Sequence, residues 1–355
     1  MAITADHALP AARSRIRDRT LVRRWLYVVL VMLLALVLVG GATRLTDSGL
    51  SITEWEPIHG VVPPLSLAEW QEEFEKYRQI PEYQLVNRGM SLAEFKTIYW
   101  WEWGHRFLAR AIGLVFALPL LFFLATGRIE RRLRLPLVGL LALGGLQGFI
   151  GWWMVASGLT ERVDVSQYRL AAHLTMAALI VAGIAWVASG LRPGPARANA
   201  TPVRSAAALA AVVLVQIYLG ALVAGMDAGL AYNTWPLMDG RVVPGGLLAA
   251  EPWWINAFEN AKAVQFIHRT FAYAVLGVAV WHAWRCWASG EGVRAWGVAL
   301  LALVVWQAVA GITTLVLAVP LGWALVHQLT ALILLAAAVW HWRGLVGPYP
   351  VDRAV

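Results

Sequence analysis

Eight stretches of about twenty mostly apolar residues recur along the chain, near 25–41, 104–125, 136–156, 170–190, 204–225, 262–284, 296–318 and 323–341. As a helix, each is long enough to cross the roughly 30 Å of hydrocarbon in a bilayer. The alternation that a lipid-facing strand needs is absent from them, and Ala, Leu and Gly abound, so a helical bundle is favoured over a barrel. Composition agrees: of 355 residues, 59% are hydrophobic, 14% are charged and 20 are tryptophan, outside the range of soluble globular domains. The expected fold class is an all-α membrane protein with eight transmembrane helices.

A net charge of +8 raises the question of a nucleic-acid partner, but the basic residues fall between alternate helices, as orientation in a membrane requires. Arg13, Arg15, Arg17, Arg19, Arg23 and Arg24 precede the first helix, and Arg128, Arg131, Arg132 and Arg134 follow the second. Arg192, Arg197 and Arg204 follow the fourth, Arg285 and Arg294 the sixth, and Arg343 the eighth. Both termini are therefore expected in the cytoplasm, with no nucleic-acid partner and the lipid bilayer as solvent. The N-terminal stretch lacks a small-residue cleavage site after a short apolar core, so it reads as a cytoplasmic tail of a bacterial inner-membrane protein. A mitochondrial presequence is the alternative. The lone cysteine, Cys286, excludes an intramolecular disulfide and any cysteine-only metal cluster, and reads as an inert thiol.

The chain also matches itself. Asp47-Ser-Gly-Leu50 pairs with Asp227-Ala-Gly-Leu230, Trp55 with Trp235 and Gly60 with Gly240, all at an offset of 180. His105-Arg106 pairs with His268-Arg269 at 163, Gln147 and Gly151 with Gln307 and Gly311 at 160, and His173 with His327 at 154. Kept order with a slowly falling offset is the mark of a duplicated unit whose first copy has the longer loop. The expected organisation is a tail over 1–24, a four-helix half over 25–190, a linker over 191–203, a second four-helix half over 204–342 and a tail over 343–355. Two copies with even helix counts are parallel, giving two pseudo-symmetric bundles. In the loop from about 42 to 101, Ser66-x-x-Glu69 and Ser91-x-x-Glu94 are capping boxes, each expected to open a short helix. Leu67, Trp70, Phe74 and Tyr77 share one face of the first, which is expected to lie on the membrane or cover the bundle.

Eight histidines occur. His7 falls in the tail, His59 in an outer loop, and His282 and His341 at cytoplasmic helix ends, where an imidazole is ordinarily an interfacial side chain. His105, His173, His268 and His327 differ: they sit near the outer ends of alternate helices, and the repeat duplicates them. Two histidines per half with no cysteine or carboxylate beside them make a poor closed zinc site, which wants four ligands. They suit the two axial positions of a porphyrin iron. Gly104, Gly113, Gly148 and Gly151 leave room for a flat macrocycle, and Arg106 and Arg269 are candidates to pair with its carboxylates. Interfacial snorkelling is the alternative role for those arginines, and a purely structural one for the histidines.

The segments Gly-Gly-Ala-Thr-Arg-Leu-Thr-Asp-Ser-Gly-Leu at 40–50, Glu-Trp-Gly-His-Arg at 102–106, Ile-His-Arg at 267–269 and Trp-Pro-Leu-Met-Asp-Gly at 235–240 resemble the haem A synthase family from first helix to last. Ile-Thr-Glu-Trp-Glu-Pro-Ile-His-Gly at 52–60 is similar to its alphaproteobacterial and mitochondrial branch. The resemblance implies oxidation of one methyl of haem O to a formyl group, giving haem A for cytochrome oxidase assembly. It further implies that His105 and His173 hold the substrate haem O and that His268 and His327 hold a resident haem b. Arg44, in the first segment, joins Arg106 and Arg269 as a candidate propionate partner. Haem O synthase and an electron acceptor are implied partners, and a homo-oligomer is compatible with the sequence. Other branches carry cysteine pairs in the outer loops; this chain has none, so no mechanism that needs them operates here.

Glu102, three residues before His105, corresponds to Gln265 before His268. Only one half holds a carboxylate, which suits a base beside the methyl being oxidised. Its alternative role is an acid paired with Lys96 or Arg106. An iron with two axial imidazoles has no position for oxygen, so attack is expected at the periphery: the methyl gives up electrons through the porphyrin, water captures the resulting cation and Glu102 takes the proton. A second round gives a geminal diol that loses water to leave the aldehyde. Two rival functions use the same histidines, a two-haem b-type membrane electron carrier and a haem transporter or chaperone. Neither needs Glu102.

Overall fold

The computed structural model describes residues 4–55, 59–194 and 202–350, with side chains from residue 15 onward and excluding that of His59. His7, Arg13, His59 and Arg197, assigned above to tail, loop and linker, lie outside the residues or side chains described. Among the described residues eleven α-helices follow one another: α1 (Thr4–Leu45), α2 (Leu67–Tyr77), α3 (Pro81–Leu85), α4 (Leu92–Ala125), α5 (Arg131–Val155), α6 (Gln167–Gly190), α7 (Val203–Gly225), α8 (Asn256–Glu259), α9 (Ala261–Ala288), α10 (Glu291–Val316) and α11 (Leu321–Val346). Among the described residues the only pairing of strand type is an isolated bridge between Met238 and Arg241. Eight of the helices, α1 from Arg15 onward, α4, α5, α6, α7, α9, α10 and α11, are long and apolar enough to span a bilayer. The chain is a multi-pass membrane protein. Leu114, Leu118, Leu121 and Phe122 of α4 and Leu135 of α5 are exposed, a lipid-facing pattern that water would penalise.

Local chemistry sets the boundaries. Ser66 and Ser91 each accept a hydrogen bond from the backbone N–H three residues on, while Glu69 and Glu94 return to the cap N–H. The second box does not open a short helix, however. With no Gly or Pro between the cap and the apolar run, α4 continues unbroken for 34 residues, about 51 Å at 1.5 Å per residue, and so extends well past a bilayer's hydrocarbon. On α2, Trp70, Phe74 and Tyr77 are buried and Leu67 is exposed. Phe74 stacks on Phe95 at 4.9 Å between centroids and Trp70 meets Tyr99 edge-on at 5.0 Å. The helix therefore covers the projecting turns of α4.

α1, α4, α5 and α6 share one core, with Trp25, Leu26, Phe116, Leu120, Leu137 and Ile184 at its centre. α7, α9, α10 and α11 pack on one another, and α6 and α1 bring Ala178, Ala185 and Val37 to their core. Where α1 and α7 end, Asp47 and Asp227 both adopt the left-handed conformation, with φ of 49° and 48°. Asp tolerates that region better than most residues, and the two turns recur at the offset of 180 seen in the sequence. At the opposite face, Arg19 pairs with Glu130 and donates to the carbonyls of Tyr349 (2.9 Å) and Pro350 (2.7 Å).

Candidate functional site

His105 on α4, His173 on α6, His268 on α9 and His327 on α11 all line one cavity of about 1720 Å³, together with Arg44, Glu102, Arg106 and Arg269. A pocket for one drug-sized ligand holds about 300–1,000 Å³, so this space exceeds a single such site. Within it His105 and His173 are electrostatic neighbours, as are His268 and His327.

Each imidazole lies against a glycine of an adjacent helix. A Cβ added to Gly40 would stand 2.9 Å from His105 Nε2; one at Gly151 would stand 2.9 Å from His173 Cε1, one at Gly220 3.0 Å from His268 Cε1 and one at Gly311 2.6 Å from His327 Cε1. At all four positions a Cβ would press on the imidazole, so glycine is what lets the ring lie there. Gly40 and Gly220 are 180 apart, Gly151 and Gly311 160 apart, so the cradle repeats with the histidines.

Glutamines grip three of the four histidine turns. Gln147 Nε2 donates to the His173 carbonyl at 3.1 Å and lies 3.2 Å from its Nδ1. Gln307 Nε2 does the same to His327 at 2.8 and 3.1 Å, and Gln216 Nε2 to His268 at 3.0 and 3.2 Å. The residue corresponding to Gln216 in the first half is Leu36. His105 thus lacks the clamp that its counterpart has, and self-comparison of the sequence gives no sign of Gln216 because the repeat breaks there.

Glu102 is buried, 3% exposed. Its Oε2 accepts from Ser51 Oγ (2.7 Å) and Ile52 N (2.8 Å), and its Oε1 from Arg106 Nη2 (2.6 Å) and Nε (3.1 Å). It is paired with Arg106, but not as a water-facing acid. Lys96 is elsewhere, over the Trp70 ring at 4.9 Å. Gln265 donates instead to the Ala228 carbonyl at 2.6 Å. Arg106 also donates to the carbonyls of Ile52 (2.7 Å) and Glu54 (3.0 Å), and Arg269 to those of Tyr232 (2.5 Å) and Thr234 (2.8 Å). Residues 52 and 54 are 180 positions from 232 and 234, so both arginines pin the equivalent loop. Arg44 reaches Asp227 at 2.8 Å, Asp47 at 3.2 Å and Asp164 at 3.7 Å, and its charge is balanced by carboxylates of both halves.

A second buried carboxylate is not apparent from the sequence. Glu82 of α3 is 5% exposed, lines the same cavity and accepts from the Tyr77 hydroxyl at 3.2 Å. Burial pushes its carboxyl up to about 8 against the opposing effect of that hydrogen bond, with Asp47, Glu102 and Asp164 adding to the rise. Nothing in its sequence context distinguishes it from the exposed acids of α2; only the packing of α2 and α3 does.

The match with known proteins runs along almost the whole chain. It is 60% identical over 346 residues to a haem A synthase of Sinorhizobium medicae (strain WSM419), covering 96% of this chain and 94% of that protein. A haem A synthase of Rhizobium meliloti (strain 1021) is 61% identical over 344 residues, covering 96% and 94%. One of Mesorhizobium japonicum is 59% identical over 360 residues, covering 100% and 99%. Residues 23–339 match the model of the cytochrome oxidase assembly protein family, and the chain belongs to that family.

Proposed function

We propose that this chain is a haem A synthase, an oxidoreductase that converts a methyl group of haem O to the formyl group of haem A for cytochrome oxidase assembly. Its relatives at about 60% identity carry that name. The observation that carries the reading within the site is an asymmetry between the two duplicated histidine pairs: a buried Glu102 lines the cavity beside one and Gln265 beside the other.

His105 and His173 are assigned to the substrate haem O, and His268 and His327 to a resident haem b. Imidazoles suit this role, and the cavity is large enough for a macrocycle. Gln147, Gln216 and Gln307 hold the backbone of the turns that carry His173, His268 and His327, which would fix the orientation of those rings towards a bound iron. Haem b supplies a one-electron relay towards an acceptor. The residues do the rest. His105 and His173 would hold the porphyrin iron, leaving Glu102, which lines the same cavity, to act at the porphyrin periphery. Ser51 and the Ile52 N–H orient Glu102 Oε2 and Arg106 holds its Oε1, which positions the carboxylate to take the proton of an attacking water. Arg106, Arg269 and Arg44, which line the cavity, would be the partners of the haem propionates. The two halves are read as duplicated four-helix bundles in a bacterial inner membrane, with both termini cytoplasmic and the haem sites towards the outer face, a reading that the arginine distribution supports.

Membranes containing the protein and supplied with haem O and isotopically labelled water test the reading. Haem A is expected, with oxygen from water entering first as the hydroxymethyl group. Haem b without haem A would favour the electron carrier, unmodified release of haem O would favour the transporter, and oxygen arriving directly from dioxygen would overturn the peripheral mechanism.

A further inference from the structure

His282 and His341, near the ends of α9 and α11, are buried and not interfacial. Together with Cys286 they form a closed cluster whose ligand atoms all lie within 4.8 Å of one another, with exposures of 0%, 3% and 0%. We propose that His282, Cys286 and His341 bind a single thiophilic d¹⁰ cation, copper(I), at the end of α9 and α11 remote from His268 and His327.

The placement follows from helix geometry. His282 stands 14 residues after His268 on α9, and His341 stands 14 after His327 on α11, in each case about 21 Å along the axis and near the same face. Cys286 follows His282 by one turn. In the first half the equivalent positions, 163 and 154 residues earlier, hold Pro119, Phe123 and Val187. Phe123 and Val187 are ordinary core residues there. The second half has put two imidazoles and a thiol together where the first has hydrocarbon, and buried polar groups of this kind are held by specific partners.

The protonation pattern favours a ligand. Ser205 Oγ donates to the Pro202 carbonyl at 3.0 Å, so at its 2.9 Å contact with His282 Nδ1 it accepts. In the Nδ1–H tautomer, which that contact accommodates, His282 turns a bare Nε2 towards Cys286 Sγ, 3.4 Å away. His341 Nε2 lies 3.8 Å from the same sulfur. A metal bound at about 2.3 Å to sulfur and about 2.0–2.1 Å to nitrogen, with angles between tetrahedral and trigonal, sets sulfur and nitrogen about 3.5–3.8 Å apart. One thiol proton serves a single nitrogen, whereas a cation serves both and the sulfur together.

The imidazole centroids are only 5.1 Å apart, and none of the three residues lines the large cavity, so a porphyrin does not fit. Structural zinc takes four ligands and would leave a net positive charge beside one thiolate. Copper(I) accepts a soft thiolate with two imidazoles and leaves the buried site neutral. Ser205 acts on the ion only through His282, as a positioning residue.

The haem-loaded full chain, purified after growth with copper, is assayed for metal content and by X-ray absorption at the copper edge. One copper per chain with one sulfur and two nitrogen neighbours is expected, and Cys286→Ser should lower copper by at least about tenfold at unchanged haem content. The absorption spectrum needs no variant and so remains decisive if Cys286→Ser fails to fold. Iron as the sole metal, stoichiometric zinc in place of copper, or copper retained by a folded Cys286→Ser protein would each overturn the proposal.

Discussion

Replacing Glu102 by Gln keeps the shape of the side chain but removes its proton affinity and its ion pair with Arg106. Loss of a general base costs about 10²–10⁴-fold, so haem A formation by Glu102→Gln should fall by at least about 10²-fold while bound haem b is unchanged. The glycine cradle distinguishes the two proposed haem sites. Gly40→Ala drives a methyl into His105 and should lower haem A formation without lowering haem b, whereas Gly311→Ala collides with His327 and should lower haem b content itself. Haem spectra of the two purified variants check this split; equal loss of haem b in both would refute it. Glu82 gives a pH signature. Its folded carboxyl keeps a proton that the unfolded chain releases above the ordinary value of 4.5, so its contribution to stability is lost as pH rises from there to about 8. Unfolding measured across that window should show the decline, and Glu82→Gln should flatten it. Residue identity makes the four histidines and Glu102 legible through duplication. Gln216 is not legible that way, because its counterpart Leu36 breaks the pattern, and Glu82 is not, because its character comes from burial alone.

The apolar windows and the two capping boxes are readable at the scale of elements because both are local: a run of about twenty apolar residues and a Ser-x-x-Glu act within a few turns. Helix length beyond a cap is not local in the same way. Ser91 signals where α4 starts, but the helix runs unbroken into the membrane only because no breaker occurs over the next turns, and the expectation of a separate short helix fails on that point. The role of α2 depends on partners far along the chain. Its Phe74 sits among Tyr83 and Phe95, so Phe74→Ala should cost about 3–5 kcal/mol of local stability. The segment between α1 and α4 should then be cut by protease at concentrations that leave the parent intact. Unchanged resistance would show that α2 does not hold this cover in place.

Contacts join the two halves of the whole molecule on the face that carries the long loops. Arg44 of α1 meets Asp227 after α7, Gln167 of α6 donates to Glu259 at 3.1 Å, and Gln328, next to His327, donates to the Val37 carbonyl of α1 at 3.3 Å. A residue beside one histidine pair thus touches the helix that carries the Gly40 cradle of the other, a short structural route between the two sites. Orientation in the membrane is testable with single cysteines in a Cys286→Ser background. A cysteine at Leu65 should react with an impermeant reagent from the outside, and one at Arg131 only after the membrane is opened. The central claim is that matched histidine pairs hold two haems and that Glu102 alone makes one half reactive. Its most direct test is chromatography of porphyrins extracted from membranes that make haem O and contain either the parent protein or Glu102→Gln. Haem A from the parent, with only haem O and haem b from the variant, is the predicted result; haem A at parental level from the variant would contradict it.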